Sequence, residues 1–173
     1  GSQPGSGSGS TRPIISRLPR ITASMNQPHP PATVLKFGGA ALADGAGVER
    51  AARVLRERGG ERPLVVVSAL QGVTRALDRL ARDAAEGRTV DLAEIRVRHR
   101  TLASQLALDP ELLDRYLAEL ATLLRAVQHR RRLRAEDRDG ILSLGERMSA
   151  RVMAAHLRAR GMLATPVDAF DLG

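Results

Sequence analysis

The chain has 173 residues, 43% of them hydrophobic, and a formal net charge of +8 from 27 Lys and Arg against 19 Asp and Glu. This is the size and apolar content of one globular domain, and its core must be aliphatic because there are two Phe, one Tyr and no Trp. The absence of cysteine excludes a disulfide framework and a thiolate metal site, and no run reaches the ~18 apolar residues of a membrane span, so a soluble, cytoplasmic protein with no membrane partner is expected.

Residues 1–31 read as a flexible tail or linker. The first ten are rich in Gly and Ser, and no acid occurs before Asp44. Two origins compete for this stretch. One is a linker or over-extended start preceding a native initiator at Met25. The other is an organelle transit peptide, whose acid-poor composition bearing Arg and Ser it resembles. The first is preferred because no amphipathic helix stands out there. The folded part is then residues 32–173.

Residues 32–37 form a short apolar strand ended by Gly38-Gly39. Val48, Ala51, Ala52 and Leu55 fall at i, i+3, i+4 and i+7, one face of a helix that Gly59-Gly60 stops. Leu64-Val65-Val66-Val67 is a continuous apolar run of buried-strand type. Gln71-Gly72 is a turn, and Val73, Ala76, Leu77, Leu80, Ala81 and Ala84 make a second amphipathic helix that ends near Gly87. Two strand-helix units in succession imply parallel strands joined by right-handed crossovers. The pattern then turns helical. Residues 92–106 are one candidate helix. Asp109-Pro110 starts another, with Leu113, Leu117, Leu120, Leu124 and Val127 on its face. Glu136 or Asp137 opens a third, which Gly161 stops. Residues 162–167 read as a third strand, and the chain then ends inside an α/β pattern.

The positive charge invites a nucleic-acid partner, but the pattern argues against one. Part of the excess lies in the tail, and the block around Arg130-Arg131-Arg132 suits a helix end, where cations oppose the macrodipole. No aromatic interleaving and no nucleic-acid-binding motif accompany it.

Three segments carry candidate chemistry. Lys36 is the only lysine in the chain, in Lys36-Phe37-Gly38-Gly39 at the end of the first strand. An ammonium is a compact point charge that fits against one phosphate oxygen where a guanidinium fork does not, although an Arg-biased base composition also explains a lone lysine. Glycines without Cβ let backbone amides approach phosphate oxygens. Ser68-Ala69-Leu70-Gln71-Gly72-Val73-Thr74 follows the second strand, placing the Ser68 and Thr74 hydroxyls near a helix start that favours an anion. Both residue types are also common turn and cap formers. Gly145-Glu146-Arg147-Met148-Ser149 lies within the last long helix. An acid there needs a partner, either a substrate ammonium or a neighbouring arginine such as Arg147 or Arg151. The first two segments sit at the carboxyl ends of adjacent parallel strands, where open α/β sheets bind ligands. His99, His129 and His156 lack metal-ligand spacing, so no protein metal site is expected.

In this order and at this spacing, the three segments resemble the aspartate kinases of the amino-acid kinase family, over about residues 33–173. The resemblance implies a three-layer αβα fold of the carbamate kinase-like type, incomplete here, with a helical excursion between strands 2 and 3. It implies ATP with Mg²⁺, and L-aspartate as phosphoryl acceptor. Lys36 would contact the transferring phosphate, Gly38 and Gly39 would line the nucleotide phosphates, and Ser68, Thr74 and Glu146 would contact aspartate. It further implies a homo-oligomer in a full-length parent, and a fragment inactive by itself. Where that family has Thr-Ser after its two glycines, this chain has Ala40-Ala41. Two rivals remain: another amino-acid kinase, acting on acetylglutamate or a nucleoside monophosphate, and a catalytically dead binding or assembly module.

Overall fold

The computed structural model describes Gly1, residues 33–60 and residues 62–172. The expected tail, including a start at Met25, lies outside the described residues apart from Gly1. Strand β1 (Val34–Phe37) runs into a short 3-10 helix (Gly39–Leu42) and then helix α1 (Gly45–Arg58). The Asp44 carboxylate caps α1 by accepting from the Gly47 N–H at 2.7 Å. Val48, Ala51, Ala52 and Leu55 are buried as one stripe, and the Gly59 N–H closes the helix on the Leu55 carbonyl at 2.8 Å. Strand β2 (Leu64–Val67) pairs in parallel with β1, in register from Val34↔Leu64 to Phe37↔Val67. The connection through α1 supplies the long crossover that a parallel pair requires.

Helix α2 (Val73–Ala85) starts at Gly72, whose φ of 82° is the left-handed conformation that glycine adopts without a Cβ penalty. Helices α3 (Ala93–Gln105), α4 (Asp114–Arg130) and α5 (Ala135–Ala159) complete the excursion. Helices α2, α4 and α5 pack against one another. Leu77, Leu120, Leu124, Val127, Ile141, Leu144 and Met148 are fully or almost fully buried in the shared core. Each such side chain contributes about 1.5–3 kcal/mol by leaving water. The result is a helix-rich α/β fold with a short parallel sheet.

Three local expectations change. Residues 162–167 do alternate between half-buried and exposed, as a strand would, but form no ladder, so the sheet has two strands among the described residues. An apolar alternation specifies which side chains face inward, whereas a strand also needs a neighbouring backbone edge to bond. The β2 run is not covered on both sides: Leu64 and Val66 remain 51% and 40% exposed. Asp109-Pro110 opens a turn instead of a helix. The Glu111 N–H bonds the Asp109 carboxylate at 2.8 Å, and α4 begins only at Asp114. Among the described residues, no helix is long and apolar enough to cross a membrane.

Candidate functional site

The site grows from the carboxyl end of the two-stranded sheet. The Ser68 N–H donates to the Phe37 carbonyl at 3.0 Å, so the turns leaving β1 and β2 begin side by side. Lys36 is exposed one residue before the end of β1, Ser68 is half-buried just after β2, and Thr74 is exposed in the first turn of α2. Ala69 lies between the segments. A Cβ on Gly39 would come within 2.6 Å of the Ala69 carbonyl oxygen. A Cβ on Gly145 would come within 2.8 Å of the Ala69 Cβ and 3.3 Å of Val73 Cγ1. Both glycines are thus required by close approach to one residue, and the three sequence segments meet there. Gly38 has open space where a Cβ would be, and its side of the turn is exposed, which suits an incoming phosphate.

The two helix starts differ in what they offer an anion. At α1, the Gly45 N–H donates to Gln105 Oε1 at 2.8 Å and the Gly47 N–H to Asp44, whose carboxylate adds a negative charge there. At α2, Gly72 provides no side-chain cap, so that positive end stays open.

On α5, Glu146 is exposed while its neighbours turn elsewhere. Arg147 donates to Glu119 at 2.6 Å and to Asp168 at 3.1 Å, and Arg151 also bonds Asp168. Of the two alternatives for Glu146, the pairing with Arg147 or Arg151 is not formed. Burial works against a charge on Asp168, but the Arg151 and Arg147 guanidiniums outweigh it and hold the carboxyl below its usual range. The Arg147 and Arg151 guanidiniums lie 5.3 and 5.2 Å from the Tyr116 ring centre, and Arg147 also faces Phe170 at 5.5 Å. Ser149, the last residue of the motif, is buried, and its hydroxyl donates to the Gly145 carbonyl at 3.0 Å, a contact within the helix.

Sequence reasoning named Arg147 and Arg151 only as partners for Glu146 and missed their pairing with Asp168. Their signal was available: two arginines at i and i+4 on α5, followed by an acid in an apolar segment. It also missed Gln105 and Arg98, the latter donating to the Gln71 carbonyl at 3.2 Å. Contacts between a side chain and a backbone group dozens of residues away leave no local pattern.

Residues 31–173 match the family model of the amino acid kinase family. The chain is 32% identical over 147 residues to Aspartokinase 1, chloroplastic, of Arabidopsis thaliana, covering 81% of this chain and 26% of that protein. It is 30% identical over 137 residues to the aspartokinase of Chlamydia muridarum, covering 79% of this chain and 30% of that protein. Aspartokinase III of E. coli, in a complex with aspartate and ADP, superposes with a TM-score of 0.65 at 29% identity, covering 75% of this chain and 29% of that one. The same enzyme in complex with lysine and aspartate also gives 0.65, at 28% identity and with 76% and 30% covered. The chain thus spans between a quarter and a third of the length of these relatives.

Proposed function

The chain belongs to the amino acid kinase family, and from that premise we propose that it is the N-terminal part of an aspartokinase, transferring the γ-phosphoryl group of ATP to the β-carboxylate of L-aspartate. The observation that supports this reading is the meeting of three distant motifs at Ala69, with Gly39 closing on its carbonyl and Gly145 on its side chain. Lys36 neutralises charge on the transferring phosphate. The backbone at Gly38 and Gly39 lines the nucleotide phosphates. Ser68 and Thr74, at the open start of α2, receive a substrate carboxylate, and Glu146 receives its ammonium.

The chemistry asks little of the protein beyond placement. Aspartate's carboxylate is already ionised at neutral pH, with an ordinary pKa of about 3.9, and needs no general base. One of its oxygens forms the new bond to γ-phosphorus as the bond to the β,γ-bridging oxygen breaks. The electron pair leaves with ADP, and the product is 4-phospho-L-aspartate. Positioning and charge stabilisation supply the rate. Mg²⁺ would accompany the nucleotide, but among the described residues no group of three or more His, Asp or Glu gathers to hold a metal. No step here is routed through it. In this reading the protein is a cytoplasmic, homo-oligomeric enzyme in the formation of lysine, threonine and methionine, with residues 1–31 as an appendage to the kinase domain.

The test is ATP- and aspartate-dependent acyl phosphate formation, trapped with hydroxylamine. The 173-residue chain is expected to give no turnover, and the protein extended along its reading frame is expected to give product. In that longer protein Lys36→Arg should cost about a hundredfold or more in rate, because the fork cannot occupy a point-charge position. Phosphorylation of acetylglutamate or a nucleoside monophosphate in place of aspartate would overturn the substrate. A second reading, a folded binding module without turnover, is favoured by Ala40 and Ala41, whose exposed methyl groups follow the two glycines. Nucleotide binding with no product from the extended protein would select it.

A further inference from the structure

Helix α3 belongs to none of the three motifs, yet it touches the helix start that follows the first and the turn within the second. Near its C-terminus, Gln105 Oε1 accepts the Gly45 N–H at 2.8 Å, and a Cβ on Gly45 would lie 2.8 Å from Gln105 Cβ, so the helix rests directly on the start of α1. Seven residues earlier, Arg98 Nη1 donates to the Gln71 carbonyl at 3.2 Å, in the turn that opens α2. Four residues before that, Glu94 accepts from Arg98 at 3.4 Å and from Arg79 of α2 at 2.5 Å. Residues 94, 98 and 105 are spaced i, i+4 and i+11, which places them on one stripe of the helix. The same stripe flanks a shallow depression shared with Ala43, just before α1.

We propose that α3 is a brace that sets the spacing of the starts of α1 and α2, with Gln105 and Arg98 as positioning residues. This deepens the aspartokinase reading and rests on it for the identity of the ligands. Gln105 occupies an amide of α1, and together with Asp44 it closes that helix start to an outside anion. Arg98 holds the Gln71 carbonyl, fixing the left-handed Gly72 and the direction in which the open start of α2 points. An anionic substrate group is thereby directed to α2.

Amide exchange in the 173-residue chain tests the brace independently of the ligand. Gln105→Leu should speed exchange of the Gly45 amide about fivefold, the effect of losing one net hydrogen bond, while Gln105→Glu, which keeps an acceptor, should restore it. Arg98→Ala should speed exchange of the Val73 amide, which bonds the Leu70 carbonyl at 2.9 Å, by about as much. Arg98→Lys should recover part of the protection. Exchange unchanged at both amides, or accelerated equally through α4 and α5, would overturn the proposal. L-aspartate with MgADP, titrated while following amide shifts over residues 68–75, tests the site. If the wild type responds, Arg98→Ala should weaken the aspartate response about tenfold through misplacement, and an undiminished response would overturn the positioning role. A wild type that does not respond counts against the aspartokinase reading and leaves the exchange result to decide the brace.

Discussion

Gly145 stands in the interior of a 25-residue helix, where glycine is about 1 kcal/mol worse than alanine. Propensity alone predicts that Gly145→Ala stabilises the protein. The packing predicts the opposite: the new methyl would lie 2.8 Å from Ala69 Cβ, 3.2 Å from Leu77 Cδ1 and 3.3 Å from Val73 Cγ1. Ala69 has no rotamer with which to withdraw, and overpacking of this kind costs about 1–3 kcal/mol. We expect a net loss of about 1 kcal/mol or more in urea unfolding, and a stabilised variant would show that α5 can slide away from the turn. Gly39→Ala should behave similarly, since its methyl would approach a backbone oxygen. These glycines were visible in the sequence as parts of motifs, but that they converge on one alanine was not. Contact between segments about 30 and 76 residues apart in the chain is a property of the packed helices.

At the scale of elements, the stretch after α5 depends on electrostatics where the sequence pattern pointed to a ladder. Residues 162–167 alternate in burial, which made them legible as a strand, but they have no paired edge. What ties the stretch down is Asp168, with a side chain only 7% exposed, between Arg147 and Arg151. Removing one charge of such a group leaves two guanidiniums facing each other against Tyr116 with no anion between them. Asp168→Asn is therefore expected to destabilise the protein by about 2–3 kcal/mol, a hydrogen-bonded charge pair lost at low exposure. Glu119→Gln should cost about 1 kcal/mol or less, because Glu119 is on the surface and its pair is open to solvent screening. Chemical denaturation of the two variants measures the ranking, and equal losses would mean that Asp168 is not the anchor. Helix existence and the buried faces of α1, α2 and α4 were readable because a 3.6-residue apolar period reports burial directly. Helix starts were less readable, as Asp109-Pro110 shows by opening a turn ahead of α4.

For the molecule as a whole, the two buried histidines couple stability to pH. His99 Nδ1–H donates to the Ile95 carbonyl at 2.8 Å, which leaves Nε2 buried without a partner among the described residues. His156 is completely buried on α5, where Arg160 approaches Nδ1 at 3.4 Å and Glu49 of α1 approaches Nε2 at 3.5 Å. Burial lowers the pKa of both rings below the ordinary 6.5, more than the Ile95 contact raises that of His99. The unfolded chain takes up these protons near pH 6.5, whereas the folded chain resists until a lower pH. Below 6.5 the unfolded state therefore binds more protons, and stability falls as pH falls, by at most about 1.4 kcal/mol per pH unit for each ring. The loss levels off once the pH drops below the folded-state values. Asp168 acts in a separate window, because its lowered carboxyl pKa gives stability that is lost only below its ordinary 3.8. Acidification should thus destabilise the protein in two stages, with the first set by the histidines. Urea unfolding at intervals between pH 7.5 and 4.5 should show the first stage in the wild type. His99→Gln with His156→Gln should flatten it, even if the double variant begins less stable at pH 7.5. A wild-type stability that does not change from pH 7 to 5, or an undiminished slope in the double variant, would show that the acid response arises elsewhere in the molecule.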